Sequence, residues 1–158
     1  EIDLGTERPG GKGFPRWALD AQWSPDGKNL AIAASIGDFL PMKTQLLLIE
    51  PWTGEIREID KPRNFILSEV DWAPGGRYLL VFGVRAIGEG KFPPAISLVD
   101  TKTASWRDLN LFLYPVAPGP YSGFEASWSP DGSRILFYCR PQSTLEWRLC
   151  LASVEVGK

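Results

Sequence analysis

Histidine is absent from the 158 residues. With it go the commonest general base, the commonest metal ligand and any Ser-His-Asp arrangement. No Gly-x-Ser-x-Gly elbow is present; Gly119-Pro120-Tyr121-Ser122-Gly123 has the wrong order. Gly10-Gly11-Lys12-Gly13 and Gly88-Glu89-Gly90-Lys91 lack the spacing and the strand-to-helix context of a phosphate loop, and read as flexible connections. The net charge of −2 removes the simplest electrostatic argument for nucleic acid or an anionic membrane surface. No apolar run approaches the length of a membrane-spanning helix. No stretch holds a 3.6-residue period over three turns, so almost no helix is expected. A signal-like segment is also missing, and the chain starts at Glu1 without Met, which reads as a processed or excised product.

What is there is repetition. Glu125 to Tyr138 reads Glu-Ala-Ser-Trp-Ser-Pro-Asp-Gly-Ser-Arg-Ile-Leu-Phe-Tyr, Asp20 to Ala33 is a first version of it, and Glu69 to Phe82 a middle one. The marker tryptophans Trp23, Trp72 and Trp128 stand 49 and 56 residues apart. Repetition at this period means supersecondary units that cannot bury their own faces and must stack in an array or ring. The 16 glycines and 14 prolines match a chain of short strands and tight turns.

In the first copy, Trp17 to Trp23 alternates as a strand, with Trp17, Leu19, Ala21 and Trp23 on one face. Ser24-Pro25-Asp26-Gly27 supplies turn chemistry: Pro presets φ, Asp tolerates the next position and Gly accepts the left-handed conformation. Asn29 to Ser35, Gln45 to Glu50 and Glu55 to Ile59 complete four antiparallel strands, the last two joined at Pro51-Trp52-Thr53-Gly54. The second copy repeats the order with Ile66 to Trp72, Tyr78 to Val84, Ala95 to Asp100 and Ser105 to Leu109. A four-stranded unit at this period predicts an all-β fold of propeller blades.

The motif Trp-Ser-Pro-Asp-Gly-x-x-Leu/Ile, whole at Trp23 to Gly27 and Trp128 to Gly132, resembles the TolB-like β-propeller repeat over nearly the full chain. The middle copy departs, with Ala73 for Ser and Gly75 for Asp, which weakens a side-chain hydrogen bond but not the turn. The resemblance implies a fold, since these residues build the blade. It also implies a bacterial extracytoplasmic setting and ring closure by strand exchange between the termini. Blades are expected at about residues 14–60, 65–110 and 122–158. In the last, Trp147 to Ala152 is the third strand and the fourth is missing; Glu1-Ile2-Asp3-Leu4 resembles Glu58-Ile59-Asp60 and is expected to fill that place.

Three blades are too few for a ring, which starts at about four. Either two chains join head to tail into six blades, each N-terminal segment completing its partner's third blade, or the remaining blades belong to a longer chain. Unpartnered apolar end faces are expected in either case until that partner is present. Cys139 and Cys150 fall in consecutive strands. With a hairpin loop at Arg140 to Leu145, Cys139 lies opposite Glu146, about 13 Å from Cys150. That reading gives two buried thiols; a cross-strand disulfide needs a longer loop.

An acid stands three residues before each marker tryptophan, at Asp20, Glu69 and Glu125, and one residue before stand Gln22, Asp71 and Ser127. Positions −1 and −3 share a strand face opposite the tryptophan. If the first strand of each blade is innermost, Asp20, Glu69, Asp71 and Glu125 ring one level of a channel and invite a cation or a basic partner. The same acids could instead accept hydrogen bonds from neighbouring blades. Trp52, in a turn, and Trp106, just after one, are candidate contact rings for a protein or sugar, with Tyr114 and Tyr121 in the proline-rich loop Leu113 to Ser122. For Trp52 and Trp106, packing at a blade edge is the competing role.

The expected function is a non-catalytic scaffold that holds a protein partner, with no cofactor, no metal, no nucleic acid and no membrane insertion. The alternatives are a sugar-binding propeller and the propeller part of a larger enzyme such as a prolyl-oligopeptidase-like peptidase.

Overall fold

Short alternating strands separated by Pro- and Gly-containing turns can hide their apolar sides only by stacking sheet on sheet. The computed structural model describes residues 15–36, 43–88, 90–109, 126–139 and 148–155. They form three antiparallel sheets and no helix. The first sheet runs β1 (Pro15–Trp23), β2 (Leu30–Ile36), β3 (Lys43–Glu50), β4 (Glu55–Ile59) in spatial order. The second runs β5 (Phe65–Trp72), β6 (Tyr78–Arg85), β7 (Pro94–Asp100), β8 (Ser105–Leu109). The third has β9 (Ala126–Trp128), β10 (Arg134–Cys139) and β11 (Arg148–Ser153). Each is a meander, and the fold is a partial β-propeller of three blades. The closure segment Glu1 to Leu4 lies outside the described residues.

Two cores lie between the sheets. Phe65, Leu67, Val70, Trp72, Leu79 and Val81 of the second sheet meet Ala31, Ala33, Leu46, Leu48 and Ile59 of the first. On its other side the second sheet sends Leu80, Phe82, Ile96 and Leu98 against Trp128, Ile135, Phe137 and Cys139 of the third. Each large buried side chain contributes about 1.5–3 kcal/mol. Ile32, Ala34, Leu47 and Ile49, on the first sheet's face turned away from the second, form a separate buried cluster.

The motif turn behaves as its residues require. Gly27, Gly76 and Gly132 take φ of 68°, 68° and 70°. Ser24 Oγ donates to Asp26 Oδ1 at 2.6 Å and accepts the Asn29 N–H at 2.9 Å. Ser129 repeats this with Asp131 (2.5 Å) and Arg134 N–H (2.9 Å). The middle turn, with Ala73 and Gly75, keeps the backbone bonds from Ala73 N–H to Tyr78 O and Gly76 N–H to Ala73 O. Its geometry survives without the side-chain pair.

Two expectations about strands are corrected. The single face from Trp17 to Trp23 is interrupted by a bulge between Ala18 and Asp20, so Leu19 leaves the alternation. The same irregularity falls between Leu67 and Glu69 in β5, again four residues before the marker tryptophan. The extra residue lets Leu67, Val70 and Trp72 all reach the core between the first two sheets. Opposite that bulge sits Gly83, where a Cβ would lie 2.0 Å from the Ile66 carbonyl oxygen. The second correction concerns the cysteines. Cys139 pairs with Arg148 and Cys150 with Phe137, two residues away from the expected register. The longer loop brings the two Cα atoms to 5.8 Å, and Cys139 and Cys150 form a disulfide.

Candidate functional site

The first strands of the three sheets lie side by side, β1 against β5 and β5 against β9. Because a strand sends alternate residues to one face, positions −1 and −3 from each tryptophan point together. They line a cleft of about 350 Å³ bounded by Asp20, Gln22, Glu69, Val70, Asp71, Phe82, Ala126 and Ser127. Asp20, Glu69 and Asp71 are thus brought to one place. Glu125, the fourth acid of the expected ring, lies outside the described residues.

The acids also join the sheets. Asp20 Oδ2 accepts the Val70 N–H at 2.9 Å, and Oδ1 accepts the Ala21 N–H at 2.8 Å. Asp71 Oδ2 takes the Trp128 N–H at 3.4 Å, a long bond. Both bonds run from one sheet to the next. Burial pushes the Asp71 carboxyl above the usual carboxylate value, the Asp20 charge adds to this, and the N–H donors of Trp128 and Trp72 oppose it. The cleft can therefore accept hydrogen bonds and attract positive charge, and Asp71 holds its proton to higher pH than an exposed acid. Among the described residues no group of three His, Cys, Asp or Glu side chains could hold a metal ion.

The tryptophans divide. Trp72 is buried and its Nε1 donates to the Gln22 carbonyl at 3.0 Å. Trp128 is buried in the equivalent place between the second and third sheets. Trp23, at the same repeat position, is 54% exposed, and no described sheet precedes the first one. Trp52 is 78% exposed at the β3–β4 turn and does not line the cleft. Trp106 is half-buried beside Phe65, ring centres 5.7 Å apart, which fits the packing role weighed for it beside that of a contact ring. Tyr114 and Tyr121 lie outside the described residues.

Two residues escaped the sequence reading. Arg57 Nη2 donates to the Thr101 carbonyl at 2.6 Å, and Arg107 Nη2 to the Glu155 carbonyl at 2.6 Å. Each is the third residue of a fourth strand and reaches into the next sheet. The signal was the shared arginine of Glu55 to Ile59 and Ser105 to Leu109, visible once those strands are aligned.

No protein-family model matches the chain, and no curated protein matches it. Solved structures do share its fold. TolB from Acinetobacter baumannii superposes with a TM-score of 0.59 at 17% identity, covering 91% of this chain and 31% of TolB. A Bacteroides ovatus protein assigned as a dipeptidyl aminopeptidase IV gives 0.59 at 14% identity, covering 95% of this chain and 26% of that one. The tricorn protease gives 0.52 at 13% identity, covering 90% and 13%. The chain thus spans a third or less of the length of each. These likenesses establish the β-propeller fold.

Proposed function

We propose that the chain is part of a non-catalytic propeller scaffold whose acidic cleft receives a basic segment of a protein partner. The observation that carries this reading is the convergence of Asp20, Glu69 and Asp71 from two neighbouring first strands on one cleft. A cleft lined by one sign of charge concentrates ligands of the other. The carboxylates of Asp20 and Asp71 are held in place by backbone N–H donors of the following sheet, so the site is rigid before anything binds. The Cys139–Cys150 disulfide supports an extracytoplasmic setting, since such bonds form and persist in oxidising compartments.

A labelled oligolysine peptide titrated against the chain at low salt tests the reading by fluorescence anisotropy. Binding should weaken with added salt and disappear in the Glu69→Gln/Asp71→Asn double variant, while an oligoglutamate control stays free. Oligolysine binding equally well to wild type and double variant would refute it, as would none at all.

One observation favours a second reading. Trp52 is an indole ring 78% exposed on a turn, a surface suited to stacking on a sugar. A glycan-array signal abolished by Trp52→Ala would support a sugar-binding propeller in place of the scaffold.

A further inference from the structure

The two boundaries between the sheets match at their outer rim and differ at their inner rim. At the outer rim an arginine of the earlier fourth strand donates to a carbonyl just beyond the later third strand. Arg57 reaches Thr101 and Arg107 reaches Glu155, both at 2.6 Å. The motif turns also meet alike: a Cβ at Gly76 would lie 3.8 Å from Pro25 Cδ, and one at Gly132 would lie 3.6 Å from Pro74 Cδ. At these contacts the third sheet is seated on the second as the second is on the first.

The inner rim is another matter. Trp72 and Trp128 hold the same repeat position, and both are buried. Trp72 Nε1 donates to the Gln22 carbonyl of the first sheet at 3.0 Å. Trp128 Nε1 is buried with no acceptor among the described residues. The bond beside it, from the Trp128 N–H to Asp71 Oδ2, is long at 3.4 Å, whereas the Val70 N–H reaches Asp20 Oδ2 across the first boundary at 2.9 Å. A buried donor without a partner favours any displacement that lets it find one.

This unequal rim borders the cleft. The acids among the cleft's described residues, Asp20, Glu69 and Asp71, belong to the first two sheets. The third sheet contributes Ala126 and Ser127, the two residues before Trp128. It is also braced within itself, because the Cys139–Cys150 disulfide ties β10 to β11.

We infer that the third sheet is a hinged wall of the cleft. It pivots on the Arg107–Glu155 contact, and its Ala126–Trp128 edge swings toward and away from Asp71 while the first two sheets move as one body. Such a hinge has a fixed side and a free side, set here by which hydrogen bonds are made. Closing narrows the cleft and carries Trp128 Nε1 toward an acceptor on β5, as Trp72 has one on β1. Control of ligand access by this wall rests on the reading of the cleft given above; the motion itself does not. The contrast lies between two boundaries inside the chain, so it holds whatever adjoins the outer sheets.

NMR relaxation dispersion on the ligand-free chain tests it, with two arginine variants beside wild type. In wild type the Ser127 and Trp128 amides and the Trp128 indole should exchange on the microsecond-to-millisecond scale of hinge motions. The Asp20 and Val70 amides and the Trp72 indole should give flat profiles. Arg107→Ala removes the pivot and should speed hydrogen exchange of the Trp128 amide by about tenfold or more, the worth of one charge-assisted hydrogen bond. Arg57→Ala removes the matching contact where the inner rim is bonded, and should leave Val70 amide exchange within about twofold of wild type. Flat dispersion at Trp128, or equal dispersion at Trp72, overturns the hinge. Freeing of Val70 by Arg57→Ala as far as Arg107→Ala frees Trp128 overturns it too. If Arg107→Ala does not fold, the wild-type dispersion decides alone. No ligand enters these measurements, so a failure of oligolysine to bind refutes the cleft reading and leaves the hinge in place.

Discussion

Asp20 in β1 accepts the backbone N–H of Val70 in β5, at 2.9 Å, across the boundary between the first and second sheets. Val70 is buried, so its N–H has no water to turn to. An acid three residues before the tryptophan therefore has a structural duty beside any charge it offers a ligand. Asp20→Ala should lower stability by about 1–3 kcal/mol, the cost of orphaning a buried donor. Asp20→Asn, which keeps an acceptor oxygen, should recover most of it. Urea unfolding of the three proteins checks this, and an Ala variant as stable as wild type would show that the bond carries no weight.

Asp71 makes stability depend on pH in an unusual direction. Its folded carboxyl titrates above the ordinary value, chiefly through burial. As pH rises past the unfolded value of about 3.9, the unfolded chain sheds a proton that the folded one still holds. Stability then falls until the raised folded value is passed. Asp71→Asn should gain stability relative to wild type as pH climbs through that window, while keeping an acceptor for Trp128. Urea midpoints measured from about pH 3 to about pH 7 should diverge; parallel curves would contradict the shift.

The β9–β10 turn of the third sheet works the opposite way. Hydrogen bonds from Ser129, then from the Ser133 N–H and hydroxyl, hold the Asp131 carboxyl down to about 2. A depressed folded value gives stability that is present above the unfolded value and lost as pH falls through about 2. Ser129→Ala removes the largest cause and should bring Asp131 back toward the ordinary carboxylate range. Side-chain NMR titration reads this directly, and a value unmoved by the substitution would mean that another group holds the proton off.

Gly83 faces the β5 bulge, where a methyl group would meet the Ile66 carbonyl oxygen at 2.0 Å. The neighbour is backbone inside a sheet and cannot swing aside. Gly83→Ala should cost about 3 kcal/mol or more, at the upper end of overpacking effects. A loss below about 1 kcal/mol would show that the bulge relaxes freely.

Much of this molecule can be read from its residues. The strands Glu55 to Ile59 and Ser105 to Leu109 have the expected limits, because a tight turn ends just before each, at Gly54 and Ala104, and the pattern is local. The grouping of Asp20, Glu69 and Asp71 follows from their fixed distance to a repeated tryptophan, with no irregularity in between. What escaped depends on contacts remote in sequence or on a single inserted residue. The bulges at Leu19 and Ser68 reverse a two-residue period without any residue that announces them. The disulfide depended on a loop two residues longer than the turn residues suggested. Trp23 matches Trp72 and Trp128 in sequence, and differs from them in that no described sheet lies ahead of it.

That last difference is where the account of stacked sheets with open ends is most exposed to test. Indole hydrogen exchange, followed by NMR, separates the tryptophans. Trp23 should exchange at a rate close to that of a free indole, whereas Trp72, bonded to the Gln22 carbonyl, should be protected by its sheet interface. Protection of Trp23 equal to that of Trp72 would mean that the β1 rim is covered as the inner sheet interfaces are, and the contrast between the tryptophans would have to be given up.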